Sequence, residues 1–70
     1  MSKIQAVYAL QSDGWSAALL LKWIKQHNLQ PIKRVHYVGD SIRYRINEPN
    51  PNKKYYTQML PNGVHLVIQK

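Results

Sequence analysis

Residues 16–28 have the sequence SAALLLKWIKQHN and predict an amphipathic helix from Ser16 to about His27. Four side chains at helical spacing i, i+3, i+4 and i+7 share one face: Leu20, Trp23, Ile24 and His27. The Ser16 hydroxyl can accept a hydrogen bond from a backbone N–H of the first turn. Asn28 suits the left-handed position after a helix, and Pro31 prevents any continuation, so the helix must end here.

The segment before the helix predicts one strand. Residues 4–10, IQAVYAL, are mostly apolar, which favours a short strand that is buried on both sides or nearly so. Ser12, Asp13 and Gly14 follow with turn chemistry and end it.

After the helix the hydrophobic period changes from 3.6 to 2, which predicts strands. Apolar and polar residues alternate from Lys33 to Tyr37 and again over residues 42–46, and Gly39-Asp40 between these runs suits a two-residue hairpin turn. Residues 47–52, NEPNPN, predict a loop because prolines do not fit inside a β-ladder. Residues 53–60 and 64–69 predict two further strands, joined by a hairpin at Asn62-Gly63.

These elements predict an α+β fold in β-α-β-β-β-β order, with residues 1–70 forming a single small domain. One amphipathic helix would pack on a mainly antiparallel sheet of three to five strands. A single helix covers one face of such a sheet and leaves the other face open. Any interaction surface is therefore expected on the face without the helix.

Charge is the strongest signal in the composition. Ten Lys and Arg against three Asp and Glu give a formal net charge of +7, which favours a polyanionic partner: nucleic acid, an anionic membrane surface or an acidic protein. The simpler alternative is that this charge only keeps a small protein soluble. The longest apolar run, residues 17–21, is too short to span a bilayer, and no membrane partner is expected. No cysteine is present, which excludes disulfides and thiolate zinc sites.

Strand parity predicts which basic residues share the open face. If Ile42, Tyr44 and Ile46 point to the helix, the residues between them point away from it. Those residues are Arg43 and Arg45, and the same parity in the neighbouring strands adds basic and aromatic side chains to the open face. The predicted nucleic-acid-binding residues are Arg34, His36, Arg43, Arg45, Lys53, Lys54 and Tyr56. Arginines and lysines would contact phosphates, and Tyr56 or His36 would stack on bases. A protein-binding face and an ordinary solvated polar face are the alternatives.

The histidines offer little chemistry. His27, His36 and His65 are far apart in sequence and no two share an i, i+4 helical pair, so no metal site is predicted. His36 and His65 could meet across the sheet as an acid–base pair for RNA cleavage, but no third group is evident. Glycine-rich phosphate loops, a nucleophile–base–acid order and a close carboxylate pair are absent from the sequence. We predict no enzyme activity and no cofactor.

The chain from Trp15 onward resembles short uncharacterised proteins encoded by bacteriophages and large DNA viruses. The shared pattern consists of Trp15-Ser16, 23–27 WIKQH, 31–35 PIKRV, 42–46 IRYRI, Pro49, Tyr56-Thr57 and 62–68 NGVHLVI. Gln58 and Gln69 stand where many of these proteins have a basic residue and a glycine. The resemblance implies a viral origin and a compact domain, and it implies no catalytic residues.

The functional hypothesis is a small, non-catalytic nucleic-acid-binding protein with a cationic sheet face. The alternative is a viral protein-interaction module that docks on a virion component or host protein, or self-associates through its sheet edges. The start of the chain, MSKIQ, has no apolar segment typical of a secretory signal. A location in the host cytoplasm or the virion is expected.

Overall fold

A five-stranded antiparallel sheet and one helix make up the fold. The computed structural model describes residues 3–69. In chain order the elements are β1 (Lys3–Leu10), a short 3-10 turn (Gln11–Asp13), α1 (Ala17–Gln26), β2 (His36–Val38), β3 (Ser41–Arg45), β4 (Tyr55–Met59) and β5 (His65–Gln69). The strands lie in the order β2-β3-β1-β5-β4, and the predicted α+β class is confirmed. No helix in the described part of the chain is long and apolar enough to cross a membrane.

The first strand occupies the centre of the sheet, where it pairs with β3 on one side and β5 on the other. Its small and apolar residues suit this position, since Val7 and Ala9 face the helix and Ala6, on the opposite face, is 1% exposed. The prediction of a strand buried on both sides is therefore correct for these residues. Ile4 and Leu10, at the ends of the predicted strand, are only half-buried, and so is Tyr8, whose ring lies on the face that the helix leaves open.

The helix begins and ends where the sequence predicts. The Ser16 Oγ accepts a hydrogen bond from the Leu19 N–H at 3.2 Å. At the other end, Asn28 adopts a left-handed conformation with φ of 60°. Leu20 and Ile24 are fully buried against the sheet, whereas His27 is exposed and stacks on Trp23 with ring centroids 3.9 Å apart.

The core fills the space between α1 and one face of the sheet. Its buried members are Val7, Ala9, Leu20, Ile24, Ile42, Tyr44, Ile46 and Val64. The Tyr44 hydroxyl satisfies its hydrogen-bonding need by donating to the Ala17 carbonyl at 3.2 Å. Burial, followed by the neighbouring Tyr37, raises the pKa of the Tyr44 phenol above its ordinary value.

Both predicted hairpins form. Val38 pairs with Ser41, which leaves Gly39-Asp40 as a two-residue turn with Gly39 at φ of 57°. In the second hairpin, the Leu60 N–H donates to the Val64 carbonyl at 2.8 Å.

The outer strands are shorter and more exposed than the alternation predicts. Residues 53–60 form a strand only from Tyr55 to Met59, and β2 contains three residues. Tyr37 pairs with Ile42 on the helix side but stays 54% exposed, because β2 is an edge strand. Tyr55 and Tyr56 are 41% and 42% exposed, and neither ring lies in the core.

Gly63 is the turn position that tolerates a side chain least. Its φ is 91°, and a Cβ there would lie 3.2 Å from the Trp15 Nε1 atom. We expect Gly63→Ala to lower the free energy of unfolding by about 1–3 kcal/mol, since the backbone is left-handed and Trp15 must move. Gly14→Ala is the matched control, because Gly14 has φ of 86° but nothing within 4 Å of the added Cβ. Urea unfolding of both variants measures the difference, and a Gly63→Ala loss no larger than that of Gly14→Ala would contradict the steric argument.

Candidate nucleic-acid interface

The side of the sheet opposite α1, here called the open face, carries the residues between the core positions of each strand. Ile42 and Tyr44 pack under the helix, so Arg43 and Arg45 lie on the open face. His36 is the cross-strand partner of Arg43, which places it on the same face. Two strands that are adjacent at one corner of the sheet therefore supply three of the predicted site residues.

These residues line one depression, here called the basic cleft. Its lining residues are Lys33, Arg34, His36, Val38, Arg43 and Arg45. The β2–β3 hairpin fixes the positions of His36 and Arg43, while Lys33 and Arg34 arrive from the irregular segment before β2. Four permanent cations and a histidine thus surround one space, an arrangement that attracts an anion and repels other cations.

A row of planar groups runs across the sheet from this cleft. The Arg43 guanidinium lies over the Tyr8 ring at 5.1 Å from its centroid. Tyr8 in turn stacks on His65, with centroids 4.5 Å apart and planes inclined by 7°. Because β1 lies between β3 and β5, Arg43 and His65 approach Tyr8 from opposite sides. Tyr8 thereby supports Arg43 through a cation–π contact at the edge of the cleft.

Acidic side chains do little to neutralise the cleft. The carboxylate of Glu48 lies 3.8 Å from Arg45, and both side chains are partly exposed, so this pair contributes weakly. Asp40 accepts hydrogen bonds from the backbone N–H and the hydroxyl of Ser12. Its charge is therefore engaged in joining the hairpin turn to the end of β1.

The loop between β3 and β4 borders the open face at one end of the sheet. Asn47 bonds to β1, with its Nδ2 donating to the Ile4 carbonyl at 2.7 Å. Further along, the Gln69 side chain donates to the Glu48 carbonyl at 3.2 Å. The Tyr55 hydroxyl donates to the Asn50 carbonyl at 2.9 Å. These bonds fix the loop to the ends of β1, β4 and β5.

Three of the predicted site residues lie outside the cleft. Lys53 and Lys54 are exposed in the loop just before β4, at the opposite edge of the sheet from β2. Tyr56 pairs with Ile68 and so lies on the helix side of the sheet, which overturns its predicted place on the open face. Tyr55 lies on the open face instead, because β4 begins at Tyr55 and does not continue the alternation that starts at Lys53 and Lys54.

The two histidines of the proposed RNA-cleaving pair are too far apart to work together. His36 is in β2 and His65 in β5, with β3 and β1 between them. Three strand spacings separate them by about 14 Å. Within residues 3–69, the His, Asp and Glu side chains form no group of three that could hold a metal ion.

Strand parity does not predict every residue of the site. It misses Lys33, Tyr8 and the stack of Tyr8 on His65. Lys33 joins the cleft because the chain before β2 is irregular and does not follow strict alternation. A sequence signal for Tyr8 does exist, since it is the one large polar ring in an otherwise small and apolar strand.

Comparisons of this chain with protein-family models, with curated proteins and with solved structures found no match.

Proposed function

We propose that this protein is a small, non-catalytic nucleic-acid-binding protein that contacts phosphates through the basic cleft. The observation that carries the proposal is the convergence of Lys33, Arg34, Arg43 and Arg45 on one depression of the open face. The formal net charge of +7 favours the same class of partner.

The residue types in the cleft suit phosphate contacts. Each arginine presents a planar fork that can donate two parallel hydrogen bonds to one phosphate. Tyr8 restrains Arg43, so less side-chain entropy is lost when the guanidinium binds. His36 is exposed beside Arg43 and can stack on a base or donate to a phosphate oxygen.

A salt titration of nucleic-acid binding tests the proposal. Four phosphate contacts predict that log K falls with log salt with a slope of about −2.8 for a single strand to −3.6 for a duplex, because each contact releases counterions. Affinity should therefore drop roughly 50- to 150-fold between about 50 mM and about 200 mM salt. Fluorescence anisotropy with a labelled oligonucleotide measures both quantities. Absence of binding at about 50 mM salt, where phosphate contacts are strongest, would remove the proposal.

The proposal includes the origin that the resemblance implies. A bacteriophage or large DNA virus would encode the protein, which would then act in the host cytoplasm or in the virion. Nucleic acid is the abundant polyanion in both places.

A second candidate function is protein interaction through the β4 edge of the sheet. All five residues of β4 are exposed, and Tyr55, Tyr56 and Met59 are large enough to form a contact surface. An edge strand can add a strand from another chain, including a copy of itself. Size-exclusion chromatography without nucleic acid separates the two functions, since self-association would raise the apparent mass with protein concentration.

A further inference from the structure

The open face is divided into a charged half and an uncharged half. The charged half is the basic cleft on β2 and β3. On β4 and β5 the outward positions are Tyr55, Thr57, Met59, His65, Val67 and Gln69, which carry no permanent charge. Lys53 and Lys54 precede β4 in the loop and lie at the end of this half, outside the strands.

The uncharged half presents apolar surface next to a planar ring. Met59 is 71% exposed and is the cross-strand partner of His65. Tyr8 covers one side of the His65 ring, so the other side is turned toward β4 and Met59. Both sides of Tyr8 are already occupied, by Arg43 and by His65. A planar ligand would therefore contact the outer side of His65 and the Met59 side chain.

This division of the open face is complementary to a single polynucleotide strand, which has charged and uncharged groups on different sides. A single strand has phosphates along one side and unpaired bases with π-faces along the other. A duplex instead encloses its bases and presents phosphates on both sides of each groove. Most of the charge of the open face lies in the basic cleft, and Lys3 of β1, opposite Gln69, is a further cation near the end of the sheet. This concentration of charge on one side of exposed Met59 matches the first of these ligands.

We infer that the ligand of the open face is single-stranded nucleic acid, with its backbone in the basic cleft and an unpaired base packed on His65 and Met59. This inference rests on the proposed function and adds the class of nucleic acid to it. The bound strand crosses from β3 toward β4 over Tyr8, which separates the phosphate contacts from the base contact. Unpaired bases beside a phosphodiester backbone are common to RNA and DNA, so the recognition depends on strandedness.

The experiment compares three ligands of equal length. They are an oligodeoxythymidine of about 12 nucleotides, an abasic chain with the same number of phosphates, and a duplex of the same length. A length of about 12 nucleotides falls within the range that small single-strand-binding domains cover. Wild-type protein should bind the oligodeoxythymidine about 5- to 150-fold more tightly than the abasic chain, because base stacking is lost in the latter. An oligouridine of equal length should behave as the oligodeoxythymidine does.

The variant His65→Ala/Met59→Ala should lose this preference and keep the affinity of the wild type for the abasic chain. Gln58→Ala is the control, because Gln58 pairs with Leu66 and lies on the other side of β4. Equal wild-type affinity for the oligodeoxythymidine and the abasic chain, or tighter binding of the duplex, would overturn the inference and leave the proposed function standing. Failure of all three ligands to bind would overturn both. The comparison of ligands on wild-type protein decides whether the ligand is single-stranded even if the double variant does not fold, and the single variant Met59→Ala, at a residue that is 71% exposed, then tests the place of the base contact.

Discussion

The double substitution Arg34→Gln/Arg43→Gln is expected to weaken oligonucleotide binding roughly 100-fold at about 50 mM salt. Each arginine contributes about tenfold, because a hydrogen bond to a charged group stabilises a complex by about 1.5 kcal/mol. The salt dependence should fall as well, with the slope of log K against log salt reduced by about 1.4 for a single strand. Both residues lie at the cleft and outside the core, so the fold should survive. Anisotropy titrations at several salt concentrations measure both effects.

Lys22→Gln/Lys25→Gln is the matched control for this double variant. Both lysines are exposed on α1, on the covered side of the sheet, and their loss removes the same charge. The control should keep most of the affinity and nearly all of the salt slope. An equal loss of affinity in the two double variants would show that net charge alone attracts the ligand, and it would contradict a localised site.

Ile24→Ala is expected to produce the largest loss of stability. Ile24 is completely buried between α1 and the sheet, and removal of such a side chain costs about 2–5 kcal/mol through lost burial and the cavity that remains. A chain of this length has a total stability of only about 3.5–10 kcal/mol, so the variant should lose a large fraction of it and unfold at a clearly lower urea concentration. Circular dichroism during urea unfolding measures the change.

Leu19→Ala is the companion variant for this measurement. Leu19 lies on the same helix but is 51% exposed, so its truncation should cost less than about 1 kcal/mol. Similar losses in the two variants would mean that the helix does not pack on the sheet by the face described here. The described core would then be wrong.

Local sequence patterns were sufficient to predict the elements of this fold. The cap at Ser16, the left-handed Asn28 and the turns at Gly39-Asp40 and Asn62-Gly63 all depend on neighbouring residues, and all are present in the structure. The order of the strands depends on long-range pairing, which no local pattern contains. Sequence reasoning therefore did not place β1 between β3 and β5.

The same distinction explains the candidate site. Arg43 and Arg45 were predictable, because they alternate with buried Ile42 and Tyr44 within one strand. The contact of Tyr8 with Arg43 and His65 joins three strands and required the sheet order. Strand alternation that starts at Lys53 and Lys54 predicts Tyr56 on the open face. The prediction is wrong because these lysines lie in the loop before β4 and not in the strand.

The most direct test of the basic cleft as the phosphate site is a nuclear magnetic resonance titration of the labelled protein with a short oligodeoxythymidine. The account predicts that the largest shift changes among the charged residues fall on Lys33, Arg34, Arg43 and Arg45 of the basic cleft and on the adjacent His36, with small changes along α1. By the further inference, His65 and Met59 should shift as well. Changes concentrated on Lys22 and Lys25 of the helix, or spread evenly over all the cationic residues, would contradict it.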